Sequence, residues 1–281
     1  MSTSSRAAHV GHRIRSGAGY GASSVRKPAF YLLTLAFVAF LVIALWEAMT
    51  MVVTAWLGEY AVPDHRVHHI MIGGTLAVFV ATVAVQLYRP TKRVGALQAA
   101  LAFAVAAFVL TAIASGLAAA GEILVFLVPV VLIGLLHPSR AELVPRLDGV
   151  DRRVLTVAGV GAIGFAALAV TEYLNHTTLT NDHVAFGHYE FMLIGMVTIG
   201  LFALLGALQP TGWRIPIYAA GALALIFALG SLAFPGAEQG SSLGTVGALA
   251  VILWAVALIG VSEYTERDDR SEPPNDSASS A

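Results

Sequence analysis

The chain has 281 residues, 57% of them hydrophobic and only 12% charged, about half the charged share of an ordinary soluble domain. A mean hydropathy of +0.78 places it with the helical membrane proteins, and a net charge of −1 leaves no basic field to hold nucleic acid. It has no cysteine, which excludes disulfides, zinc ribbons, Fe–S ligation and thiol catalysis.

In chain order, residues 1–28, rich in Ser, Gly and Arg, predict a disordered basic tail. A spanning helix needs roughly 20 apolar residues. Eight stretches provide or approach this: about 29–57, 66–88, 95–120, 122–137, 153–174, 188–209, 213–234 and 243–262. The first is too long for the core of a cleavable signal and predicts a retained anchor. The fourth has only 16 residues, and a re-entrant path there would lower the count to seven. Residues 263–281 are polar and Pro/Ser-rich and predict a second disordered tail. The expected fold class is an all-α integral membrane protein of about eight transmembrane helices. Its halves are 29–137 and 153–262, joined by a cytoplasmic linker, 138–152.

Charge sets the expected orientation. With eight spans, 15 of the 16 basic residues fall on one side and Arg66 alone lies on the other. The positive-inside bias then places both termini in the cytoplasm of a cell membrane. No span contains a lysine, so a retinal Schiff base is not expected. A shift of 120 residues places His68 on His188, Pro90-Thr91 on Pro210-Thr211 and Gly116 on Gly236, without gaps. This predicts an internal repeat of two four-helix halves, parallel because each has an even number of spans.

The polar chemistry collects on the expected outer face. Six of the nine histidines fall there: His65, His68, His69, His176, His183 and His188. Glu47, Glu59, Asp64, Glu122, Glu172, Asp182, Glu190 and Glu238 join them, so that face should attract cations. Five methionines, among them Met71 and Met192, lie in the outer halves of helices one, two and six. Imidazole suits copper, zinc, iron and nickel, and thioether selects Cu(I) or serves as a haem axial ligand.

His65, His68 and His69 share one helical face at i, i+3 and i+4, and Glu172 and His176 stand at i, i+4. The expected metal ligands are therefore His68, His69 and His188, followed by His65, His183 and His176. Met71 and Met192 are candidate soft ligands to the cofactor. Glu47, Glu172, Asp64 and Asp182 are candidates for a proton relay or for supporting the ligands. Each has a plainer role open to it: interfacial histidine, core methionine or helix cap.

His65-x-x-His68-His69 and His183-x4-His188 resemble two histidine boxes of the membrane fatty-acid desaturases, although in reversed order and without a third box. The layout of eight helices in two halves with outward histidines resembles haem A synthase. That family pairs histidines from the second and fourth helices of each half, and here helices four and eight carry no outer histidine. The resemblances therefore imply neither family's ligand set.

The leading expectation is a multi-pass membrane protein that binds a redox metal, copper or haem iron, near its outer surface. It would serve electron transfer, metal handling or oxidase maturation, with the bilayer and an outer-face redox partner or membrane-complex subunit as partners. Catalysis is allowed but not required. Two alternatives stand beside it: a cation or proton transporter using Glu47 and Glu172, and a structural or assembly subunit.

Overall fold

The computed structural model describes the backbone of residues 3–145 and 150–271 and the side chains of 25–145 and 150–265. Arg146 in the linker and the end of the chain beyond Ser271 lie outside the described residues. The described α-helices are α1 Thr3–Thr54, α2 Arg66–Ala84, α3 Val94–Ala114, α4 Leu117–Leu136 and α5 Arg152–Thr178. They continue with the short α6 Asp182–Ala185, then α7 His188–Ala207, α8 Arg214–Ala233 and α9 Gly244–Ser271. All except α6 contain a segment long and apolar enough to cross a membrane, which gives the eight spans read from the sequence.

Three boundaries differ from expectation, one of them at α9, which runs on to Ser271 and so into the segment 263–281 read as a disordered tail. The backbone is helical from Thr3, so α1 continues through the segment read as a disordered tail. A formed helix extends at one hydrogen bond per residue without a second nucleation cost. The α3–α4 break falls at Ser115-Gly116 instead of residue 121. Gly116 has φ +92°, a conformation open to glycine, and it starts a full-length α4 of 20 residues in place of the expected short segment.

Burial sorts the spans into two groups. In α2, α3, α7 and α8, 67, 56, 72 and 61% of the most apolar window is buried, against 22, 22, 28 and 17% in α1, α4, α5 and α9. The first four form the centre and the others the wall. Wall residues such as Ile43, Ile163 and Leu253 are 80, 74 and 70% exposed, a surface that lipid satisfies and water does not. Several hydroxyls within the spans are satisfied locally: Thr34, Thr82, Thr198 and Ser262 donate to carbonyls of their own helices.

The helix contacts fall in pairs under the 120-residue shift. Helix α1 packs on α2 as α5 packs on α7, and α3 packs on α4 as α8 packs on α9. Across the centre, α3 meets α7 as α8 meets α2. Among the described residues, the non-glycine positions with left-handed backbone are Arg89 and Gln209, at φ 50° and 51°. They stand 120 residues apart, and each precedes Pro-Thr, where proline bars the right-handed helical conformation. The two turns touch, with Gly95 N donating to Thr211 O at 2.9 Å. At the opposite end of the bundle the rings of His68 and His188 stack at 5.1 Å.

Candidate metal centre

Three connections build the histidine end. The α1–α2 connection closes with a 3-10 turn, Pro63–His65, that feeds directly into α2. Proline at its start presets the backbone, and the helix that follows carries His68 and His69 inward from its first turn. In the α5–α7 connection, Asn181 caps α6 by accepting from Val184 N at 3.1 Å, which sets His183 over the bundle. His188 is the first residue of α7. In the α8–α9 connection, Gln239 ties the ends together: its Oε1 accepts from Val67 N at 3.2 Å and its Nε2 donates to Pro63 O at 2.9 Å. Gly240, at φ +75°, lies against the cluster so closely that a methyl group there would come 2.9 Å from His68 Cε1.

Together these elements gather five imidazoles. Ring centroids lie 4.5 Å apart for His65–His183, 4.6 Å for His65–His188 and for His68–His183, and 4.9 Å for His69–His188. His65, His183 and His188 are buried, and each offers a nitrogen within 4.8 Å of the other two. That is a trio able to hold a metal ion.

The hydrogen bonds assign tautomers. Ser241 Oγ gives its single proton to Glu172 Oε2 at 2.8 Å and so accepts from His68 Nε2 at 2.8 Å. This leaves His68 Nδ1 a bare lone pair, buried and without a hydrogen-bond partner. His183 Nε2 donates to Glu238 O at 3.2 Å, and its Nδ1 is likewise buried and unpartnered. Buried acceptors with nothing to accept are costly unless a ligand completes them. Tyr60 OH is hydrogen-bonded to His69 Nδ1, and burial pushes that hydroxyl above its ordinary value despite the Arg66 charge. On its other side, His69 Nε2 lies 3.2 Å from His188 Nε2.

Arg66 is the one arginine expected at this end, and it does not face the imidazoles. Its guanidinium donates to the carbonyls of Ala55, Leu57 and Gly58 at 2.6–3.0 Å, closing the end of α1 where carbonyls go unpaired and a cation is favoured.

The other expected residues scatter. His176 faces away from the cluster, with Nε2 3.1 Å from Ser115 Oγ and 3.8 Å from Glu190, whose carboxylate accepts from Thr111 and Ser115. Glu172 reaches the cluster through Ser241. Asp64 and Asp182 are exposed in the first turns of their short helices. Glu47 is exposed on α1, and Met71 and Met192 are in the hydrophobic core, where Met71 packs against Gly195. Ser241, Gln239 and Tyr60 orient the ligands without any spacing signature in the sequence. No protein-family model, curated protein or solved structure matches this chain.

Proposed function

We propose that this membrane protein holds a redox metal ion in its imidazole cluster, copper in first place, as an electron-transfer or metal-handling centre at the outer face. The observation that carries this is the His65–His183–His188 trio: three buried imidazoles with nitrogens within 4.8 Å of one another. Nitrogen ligands about 2.0–2.1 Å from one ion lie roughly 3.3 Å apart in a tetrahedron, so small rotations of the rings close the site. The unpartnered Nδ1 atoms of His68 and His183 support the same reading. Among divalent first-row metals an imidazole set ranks copper highest. A haem finds less support, because imidazoles already packed 4.5–5.8 Å apart leave no slot between them for a macrocycle.

The outward placement is supported by Arg89, Lys92, Arg93, Arg140, Arg152, Arg153 and Arg214, which lie in or beside the connections at the other end. The paired contacts and the matching left-handed turns support two tandem parallel halves. A transporter finds little support: Glu47 is exposed on α1, Glu172 is engaged by Ser241, and the Thr82 and Thr198 hydroxyls are turned back on their own helices.

The test is electron paramagnetic resonance on detergent-purified protein loaded with one equivalent of Cu(II). The expected spectrum shows hyperfine splitting from at least three imidazole nitrogens, reduced in His183→Ala. A spectrum of copper bound by oxygen alone, unchanged by that variant, overturns the proposal.

A further inference from the structure

A cavity of about 560 Å³ opens beside the imidazoles, enclosed by α1, α2, α3, α4 and α7. Its size falls within the roughly 300–1,000 Å³ usual for small-molecule sites. Its polar groups include His69 and His188, at the edge of the imidazole cluster, and Thr111 and Glu190 facing it. Much of the remaining wall is aromatic, from Phe79, Phe103, Phe126 and Phe191. Phe186, Phe191 and Glu122, all exposed, mark the mouth.

From this we infer a binding site for a lipid-soluble quinone, its ring at the histidines and its tail along the apolar walls. The donor and acceptor set matches the two oxidation states of such a ring. His69 and His188, whose Nε2 atoms lie 3.2 Å apart, can part so that an imidazole N–H donates to a quinone carbonyl, and the Glu190 carboxylate can accept from a quinol hydroxyl. Phenylalanine faces stack on a flat ring. A phospholipid fits poorly, because the lining offers two carboxylates and no lysine or arginine to meet a phosphate.

Side-chain size differs between corresponding places in both directions: Phe79, Phe103 and Phe126 of the lining give way to the smaller Ile199, Leu223 and Val246, while three small lining residues give way to larger ones. Leu45, Ala48 and Ala107 line the cavity, and the residues 120 positions later are Phe165, Leu168 and Phe227. Phe227 is fully buried, and the void beside Phe165 and Leu168 is only about 190 Å³. His69 corresponds to Tyr189 and Glu190 to Ile70, so the polar end is also confined to one place. This inference stands on the cavity and does not require the metal.

The test is isothermal titration of full-length protein in phosphatidylcholine nanodiscs with decylubiquinone, with and without copper loaded. Saturable one-to-one binding is expected, weakened roughly tenfold or more by Ala107→Phe and by Ala48→Leu, each of which fills the space as the other half does. Copper content of both variants should stay at the wild-type level, so failure of the cavity and failure of the metal site give separate results. Absence of saturable binding to the wild type, or equal affinity in both variants, overturns the inference. So does a haem, seen as a Soret band, or a phospholipid retained in the cavity and blocking the titration.

Discussion

Positions 45, 48 and 107 hold Leu, Ala and Ala around an open cavity, while 165, 168 and 227 hold Phe, Leu and Phe in a nearly filled core. The helices around both sets pack on corresponding neighbours. Trp254 adds to the closed side, donating to Val157 O at 2.8 Å with its ring edge-on to Phe165. At these three positions side-chain volume, more than which helices pack together, separates an open space from a filled one. Both halves of the sequence supply imidazoles to the shared end, and the cavity beside them lies against α1–α4 and α7.

Exchanging volume between the halves should give the largest effect. Phe227→Ala leaves a void in the closed half and is expected to cost about 3–5 kcal/mol, read as a fall in the thermal unfolding midpoint in detergent. Ala107→Phe fills existing space and is expected to cost well under half of that. Equal penalties would break the comparison.

Next comes the support behind the imidazoles. Ser241 links Glu172 of the second half to His68 of the first. Ser241→Ala should weaken copper binding by roughly 10–100-fold, the range for groups that orient ligands, in a chelator competition. Unchanged affinity would remove the Glu172–Ser241 pair from the account.

The smallest effect concerns the basic end. His137 closes α4, its Nδ1 accepting from Ser139 N at 3.1 Å, and burial holds its imidazole below the ordinary value. The unfolded chain takes up a proton at about pH 6.5 where the folded chain does not, so stability is lost as pH falls through that range. The second half has Ala257 at the corresponding place, which does not titrate. His137→Gln should remove part of the drop in unfolding midpoint between about pH 7.5 and pH 5.5. An unchanged drop would show that His137 does not contribute.

The spans were legible because hydropathy over 20 residues is a sum, insensitive to detail. The α3–α4 break was misplaced because either Gly116 or Gly121 could mark it, and φ at Gly116 decides. That His65, His68, His69, His183 and His188 share one end of the bundle was legible, but whether they form one cluster or two was not. His176 was not separable from them, because helical spacing ties it to Glu172 but says nothing of the neighbour each one meets. Glu172 turns to Ser241 of the α8–α9 connection, and His176 turns to Ser115 beside α3. Ser241, Gln239 and the cavity were invisible, since they depend on which loop returns over the cluster and on volumes summed across five helices.

We propose that the clustered imidazoles hold one metal ion. It is tested most directly by metal analysis of purified protein carrying a non-histidine tag, prepared from copper-replete cells. Close to one copper per chain is expected in the wild type, and background levels in the His65→Ala/His183→Ala/His188→Ala variant. Copper far below one per chain, or a content the triple variant leaves unchanged, would contradict it.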